Sequence, residues 1–200
     1  RMILSKSGST SSISFSSVLR AYRGPPVQKV DGFDLKGDEL FASDPQVLDD
    51  DPERIIRIFR HAQRLSAKLA PGLRSLVRNR LSLIDASLIN STSANVTFRS
   101  ILQEIGNVSP TLCEMHELGV LGRFVPEFGR LSCKVQHDLY HRFTADIHVL
   151  HCITILDEVF QGKKSRSARY LEVLRKNEVP GLLYLILFLH DLGKDQGPKG

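Results

Sequence analysis

Eight consecutive apolar residues, Leu182 to Leu189, run straight into His190-Asp191 in this 200-residue sequence. A helix that is apolar around its whole circumference has no face to offer water, so the run predicts the central helix of a bundle. The run falls well short of the ~18 residues that a membrane span needs, so no membrane partner is expected. It also delivers an imidazole and a carboxylate to a buried helix end. Neighbouring helix positions point about 100° apart, so these two side chains converge only on something held between this helix and another. A divalent metal, Mn²⁺ or Mg²⁺, meets that requirement. It accepts imidazole nitrogen and carboxylate oxygen together, and it offsets the cost of burying the carboxylate. Lys194 follows four residues after His190, near enough to face a phosphate at the metal. A His-Asp pair also recurs by chance at helix ends that simply emerge into solvent, so its surroundings decide what it means.

Upstream, the chain is punctuated as a succession of helices. Asp51-Pro52-Glu53 offers a cap, a proline in the first turn and an acid, followed by Ile55, Ile56, Phe59, Ala62 and Leu65 at helical spacing. This helix should end before Pro71-Gly72. Leu73, Leu76, Val77, Leu81 and Ile84 mark a second helix, and Val96 to Ile105 a third. Ser109-Pro110 repeats the cap-plus-proline start, and Gly119 stands where that helix should stop. Pro126 and Gly129 punctuate the next stretch, Phe143 to Phe160 reads as a long helix, Ser167 to Lys176 as another, and Pro180 opens the last. Only Val30 to Phe41 alternates with period two, around Lys36-Gly37-Asp38, which predicts a short β-hairpin. Residues Ser5 to Ser17 are dominated by Ser and Thr and read as a loop or linker. The fold class is therefore mainly α: a helical bundle preceded by a helical linker and a short β-hairpin.

With 42% apolar and 24% charged residues, the chain can build one sizeable core. The net charge of +5 is mild. Its densest source, Lys163, Lys164, Arg166 and Arg169, is interleaved with Ser and Gly rather than aromatics, which predicts a solvated loop and no DNA or RNA partner. Cys113, Cys133 and Cys152 are odd in number and form no CxxC pair, as suits buried thiols in a reducing, cytoplasmic setting. The start, Arg1-Met2-Ile3-Leu4 followed at once by serines, carries no legible signal peptide, and the opening Arg suggests an excerpt of a longer protein.

His190-Asp191-Leu192-Gly193-Lys194 after an apolar helix resembles the HD metal-dependent phosphohydrolase signature, which also requires a histidine on an earlier helix and a later aspartate. Further likeness lies in Met115-His116-Glu117-Leu118-Gly119, Arg123-Phe124-Val125-Pro126-Glu127-Phe128-Gly129, Asp138-Leu139-Tyr140-His141 and Thr144-Ala145-Asp146-Ile147-His148. With Asp44-Pro45, Asp51-Pro52, Ile58-Phe59-Arg60, Ala62-Gln63 and Leu83-Ile84-Asp85, these resemble the bifunctional PII uridylyltransferase/uridylyl-removing enzymes of bacterial nitrogen control. The likeness covers Asp31 to Lys194. It implies a Ser-rich linker or remnant of a preceding domain over 1–30, a helical linker region over 31–107, and the N-terminal part of an HD domain over 108–200. No nucleotidyltransferase Gly-Ser and paired-aspartate pattern precedes Asp31, so transferase activity is not expected of this stretch.

The resemblance implies His148 as the first metal ligand and His190 and Asp191 as the central pair, with a further aspartate beyond Gly200. Ile147 and Val149 stand where the family has an acid and a threonine, which weakens the outer shell of that site. The implied reaction is removal of UMP from a tyrosine of the uridylylated PII signal protein, with Lys194 neutralising charge in the transition state; glutamine would be sensed by domains outside this stretch. Two other readings share some of these residues: an HD phosphohydrolase acting on a free nucleotide, and a non-catalytic helical signalling module with an incomplete metal site. His137 and His141 read as residues near the start of the long helix that bond its N-terminal region or line the pocket, or as donors to a second metal. His151 reads as pocket wall or core, and His61 and His116 carry no assigned role.

Overall fold

The structure, a computed structural model, describes residues 26–131, 144–163, 170, 172, 174, 176 and 179–192. Lys194, His137, His141, Cys133 and the Ser-rich start lie outside these residues, as does most of the helix expected over Ser167 to Lys176.

The N-terminal part is a small sheet of β1 (Gln28–Val30), β2 (Phe33–Lys36), β3 (Glu39–Ala42) and β4 (Lys68–Leu69), in the order β1-β2-β3-β4. Sequence alternation predicted one hairpin; the structure has two, because Asp31-Gly32 forms a second tight turn. Both of its residues have positive φ, 50° and 86°, as a two-residue turn between right-twisted strands requires. β4 pairs in parallel with β3, aligning Leu40 with Leu69.

Asp31 anchors this sheet to α2 (Arg54–Leu65). Its carboxylate accepts from Arg57 at 2.7 and 3.0 Å and from Arg54 at 3.3 Å, and His61 Nε2 lies 3.1 Å away. Beneath it, Ile55, Ile56, Ile58 and Phe59 bury one face of α2. The preceding Asp51-Pro52-Glu53 forms a lead-in turn rather than helical positions, with the Asp51 carboxylate accepting from the Glu53 amide at 3.2 Å.

The chain continues through α1 (Val47–Asp50), which precedes α2, then α3 (Pro71–Asn79), α4 (Ala86–Ile89), α5 (Thr92–Leu102) and α6 (Ser109–Glu117). α5 begins four residues earlier than the apolar pattern indicated, because Ser91 caps it by accepting from the Ala94 amide at 3.3 Å. The short helices α7 (Val120–Phe124) and α8 (Pro126–Leu131) cross with Gly129 against the backbone of Gly122. A long α9 (Ala145–Phe160) and α10 (Pro180–Leu189) complete the described elements. One continuous cluster of buried apolar residues runs from Phe33 to Phe188.

α10 departs from the expectation for a wholly enclosed helix. Tyr184 and Phe188 are fully buried, but Leu182, Ile186 and Leu189 are 49%, 51% and 47% exposed. α9 and α5 pack against one side of it, and its composition alone could not say how many sides would be covered.

A Cβ at position 129 would collide with the carbonyl of Gly122. Gly129→Ala is therefore expected to destabilise the protein by about 1–3 kcal/mol, the usual cost of overpacking, in a urea melt. Burial acts to raise the pKa of Asp31, but the Arg57 and His61 hydrogen bonds, the Arg57 charge and Arg54 outweigh it and bring it to about 2 from 3.8. A depressed folded-state pKa adds stability above the unfolded value and loses it as pH falls through the folded one. The stability advantage of the protein over Asp31→Asn should thus be full above pH 3.8 and shrink toward pH 2. Asn suits the left-handed backbone at this position, so acid-unfolding curves of the two proteins isolate the charge.

Candidate metal centre

α9 turns Asp146, Val149, Leu150, Ile153 and Asp157 inward, the spacing of one helical face. His148 lies at the edge of that face and stays exposed. On α10 the buried stripe is Tyr184, Phe188 and, one turn beyond, Asp191, which is 3% exposed. The backbone keeps its helical course past Leu189, with the His190 amide donating to the Ile186 carbonyl at 2.9 Å. The helical period therefore carries Asp191 to the buried side and leaves His190 beside it at the surface.

These elements bring together three of the residues singled out from sequence. One ligating atom each from His148, His190 and Asp191 lies within 4.8 Å of the other two. The imidazoles of His148 and His190 meet edge to face, with centroids 5.8 Å apart.

The donor chemistry suits a cation. His190 Nδ1 lies 2.6 Å from the Leu187 carbonyl oxygen, which can only accept, so Nδ1 carries the proton. In the neutral ring Nε2 then presents its lone pair to Asp191 Oδ1, 3.2 Å away. Two facing acceptors at that distance call for a positive charge shared between them, a proton or a metal ion. Asp191 is also a buried carboxylate at the C-terminal end of α10, where helix carbonyls already concentrate negative potential. Two imidazole nitrogens and one carboxylate oxygen are the donors that Mn²⁺, Mg²⁺ and similar ions share, with positions left for other ligands.

Cys152, one turn beyond His148, places its sulfur 3.7 Å from His148 Nε2. Burial, followed by the Asp191 charge, pushes its thiol pKa up, so at neutral pH it is a protonated neighbour rather than a thiolate donor. A groove of about 270 Å³ opens between α6 and α9, lined in part by Cys113, His116, Ile147, Leu150 and His151. His151 is thus wall of a groove rather than core. Ile147 faces this groove, whereas Val149 is fully buried.

Sequence reasoning overlooked other polar contacts here. His116 Nε2 lies 3.4 Å from the buried Asp146 carboxylate, and its ring meets Phe128 edge to face at 5.7 Å. Asp157 accepts from the backbone amides of Val108 at 3.0 Å and Ser109 at 2.7 Å, and from the Tyr184 hydroxyl at 2.7 Å. No sequence signal pairs residues 27 to 49 positions apart; the only local hint was two polar groups on apolar helix faces.

The family described as uridylyltransferase GlnD third domain matches residues 33–124. A bifunctional uridylyltransferase/uridylyl-removing enzyme from Rhodopseudomonas palustris is 36% identical over 172 residues, which are 85% of this chain and 18% of the relative. One of the same description from a Bradyrhizobium species is 32% identical over 170 residues, 84% of this chain and again 18% of the relative. The chain belongs to the uridylyltransferase/uridylyl-removing enzyme family. It spans about a fifth of the length of these relatives, and the parent proteins of the family are enzymes. The matched family region, 33–124, covers β2 to β4 and the helices through α7, on which α9 and α10 are packed. Among the described residues, no helix is long and apolar enough to cross a membrane.

Proposed function

We propose that this part of the uridylyltransferase/uridylyl-removing enzyme carries its uridylyl-removing activity: metal-dependent hydrolysis of the phosphodiester joining UMP to a tyrosine of the PII signal protein, in the cytoplasm. The observation that supports this most is the convergence of His148, His190 and Asp191 from two helices to within 4.8 Å. The names of the relatives supply the uridylyl chemistry, and the likeness of Thr144 to His148 and His190 to Lys194 to the HD signature supplies the reaction class.

In this reading α9 contributes one imidazole and α10 contributes an imidazole and a carboxylate. The Leu187 carbonyl holds the His190 ring by its Nδ1 proton and so aims Nε2 at the cluster. Asp191 brings the negative charge that makes the site selective for a cation, and its burial keeps the dielectric low so that this charge acts strongly. A bound Mn²⁺ or Mg²⁺ supplies Lewis acidity toward the phosphoryl oxygens and lowers the pKa of water toward neutrality. Lys194, outside the described residues, is assigned to charge neutralisation at the phosphoryl group, as the resemblance implies.

The test is UMP release from uridylylated PII by the intact protein that carries this chain. Chelation should abolish release and added Mn²⁺ or Mg²⁺ restore it. His148→Ala and Asp191→Ala should each lower the rate by about 100-fold or more, beyond the loss typical of residues that merely support a ligand. Unchanged metal-dependent release by both variants would refute the assignment. Hydrolysis of free nucleotides in place of UMP-PII would keep the metal reading and replace the substrate.

A further inference from the structure

Deeper in the same helix pair, a buried polar knot ties α9 to α10 at the end away from the histidines. The Tyr184 hydroxyl donates to Asp157 Oδ1 at 2.7 Å and accepts from the Gly106 amide at 2.9 Å. Asp157 also accepts the amides of Val108 and Ser109 at the start of α6. Gln161, which caps the C-terminal end of α9, donates its side-chain amide to the Gly106 carbonyl. The rings of Tyr184 and Phe160 stack with centroids 5.9 Å apart. Together these contacts join α9, α10 and the segment leading into α6 pairwise, and Asp157 and Tyr184 are almost wholly buried.

Helix geometry gives this knot a consequence at the candidate metal centre. His148 precedes Asp157 by nine residues on α9, and His190 follows Tyr184 by six on α10. The two helices therefore run antiparallel and touch at two places, Asp157 with Tyr184 and His148 with His190. A slip of one residue would shift α10 by about 1.5 Å and turn its side chains by about 100°. Ligand sets work only when held to within about 0.5 Å. The His148–His190 contact itself lies at the exposed rim and cannot supply that rigidity, whereas a satisfied buried network specifies a single arrangement.

We propose that Asp157 and Tyr184 are positioning residues that set the axial and rotational register of α10 on α9, and thereby hold His148 at ligating distance from His190 and Asp191. Neither touches the cluster; each acts through the helix that carries a ligand. The inference rests on the metal reading of that cluster, and the readouts below separate the two.

Tyr184→Phe removes both hydroxyl hydrogen bonds and keeps the ring stacked on Phe160. Asp157→Asn keeps the size and reduces the acceptors available to Tyr184 and the two amides. Val77→Ala, in the buried face of α3, is the control that lowers stability away from α9 and α10. Mn²⁺ affinity is measured by calorimetry, and the proximity of the two imidazoles by nuclear Overhauser contacts between His148 and His190 in metal-free protein. Both knot variants should bind Mn²⁺ about 10-fold or more weakly, the range for residues supporting a ligand, and lose or weaken the ring contact. Val77→Ala should lower Tm and change neither. Wild-type affinity and an intact ring contact in both knot variants would overturn the proposal, as would an equal affinity loss in Val77→Ala. Absence of Mn²⁺ binding by the wild-type protein overturns the metal reading instead, and the ring contact alone then decides the register.

Discussion

The arrangement of the C-terminal helices depends on one buried carboxylate. Asp157 belongs to α9, yet its acceptors are filled by the first turn of α6 and by the hydroxyl of Tyr184 on α10. An isolated buried carboxylate would be costly, but here it receives unpaired amides where the α6 dipole is positive, so each group removes the other's desolvation cost. The Tyr184 hydroxyl, a donor to that carboxylate and buried, has its pKa pushed up by burial and by Asp157, and stays protonated as the network requires. Hydrophobic contacts alone would let these helices slide; directional hydrogen bonds do not. Val108, Leu112, Ile153, Tyr184 and Phe188 belong to the same buried apolar cluster.

What the sequence made legible follows from how local each signal is. Helix starts at Ser109-Pro110 and Pro180 were readable because the proline preference for the first turn is local, although Val108 rather than Ser109 takes the cap position. The grouping of His148 with His190 and Asp191 was readable through family likeness, not through spacing, since a dipeptide specifies nothing about the helix opposite. The Asp31-Gly32 turn is as local, but it was hidden because Val30 to Leu35 also reads as one arm of the hairpin around Lys36-Gly37-Asp38. Ser91-Thr92-Ser93 carries no apolar periodicity, so the pattern starts at Val96, whereas Ser91 is the cap and Thr92 the first residue of α5. Hidden for a stronger physical reason were β4, a two-residue strand that exists only because β3 offers an edge, and the Asp157 knot, whose members are drawn from three distant segments. The exposure of Leu182, Ile186 and Leu189 shows the limit of composition: it identifies a helix fit for enclosure and leaves open which of its sides are covered.

Two carboxylates, Asp157 and Asp191, are almost equally buried, 3% exposed each, and the fold treats them in opposite ways. Asp157 sits against a helix N-terminus, where backbone amides answer its charge and no outside partner is required. Asp191 follows the C-terminal end of α10, where the helix dipole is negative. Its neighbour at 3.2 Å is an imidazole nitrogen whose other nitrogen is already committed to the Leu187 carbonyl. Backbone amides and a hydroxyl answer the charge at the first position, and an imidazole lies against the second. The knot and the cluster belong together, since the first fixes the two helices that carry the members of the second.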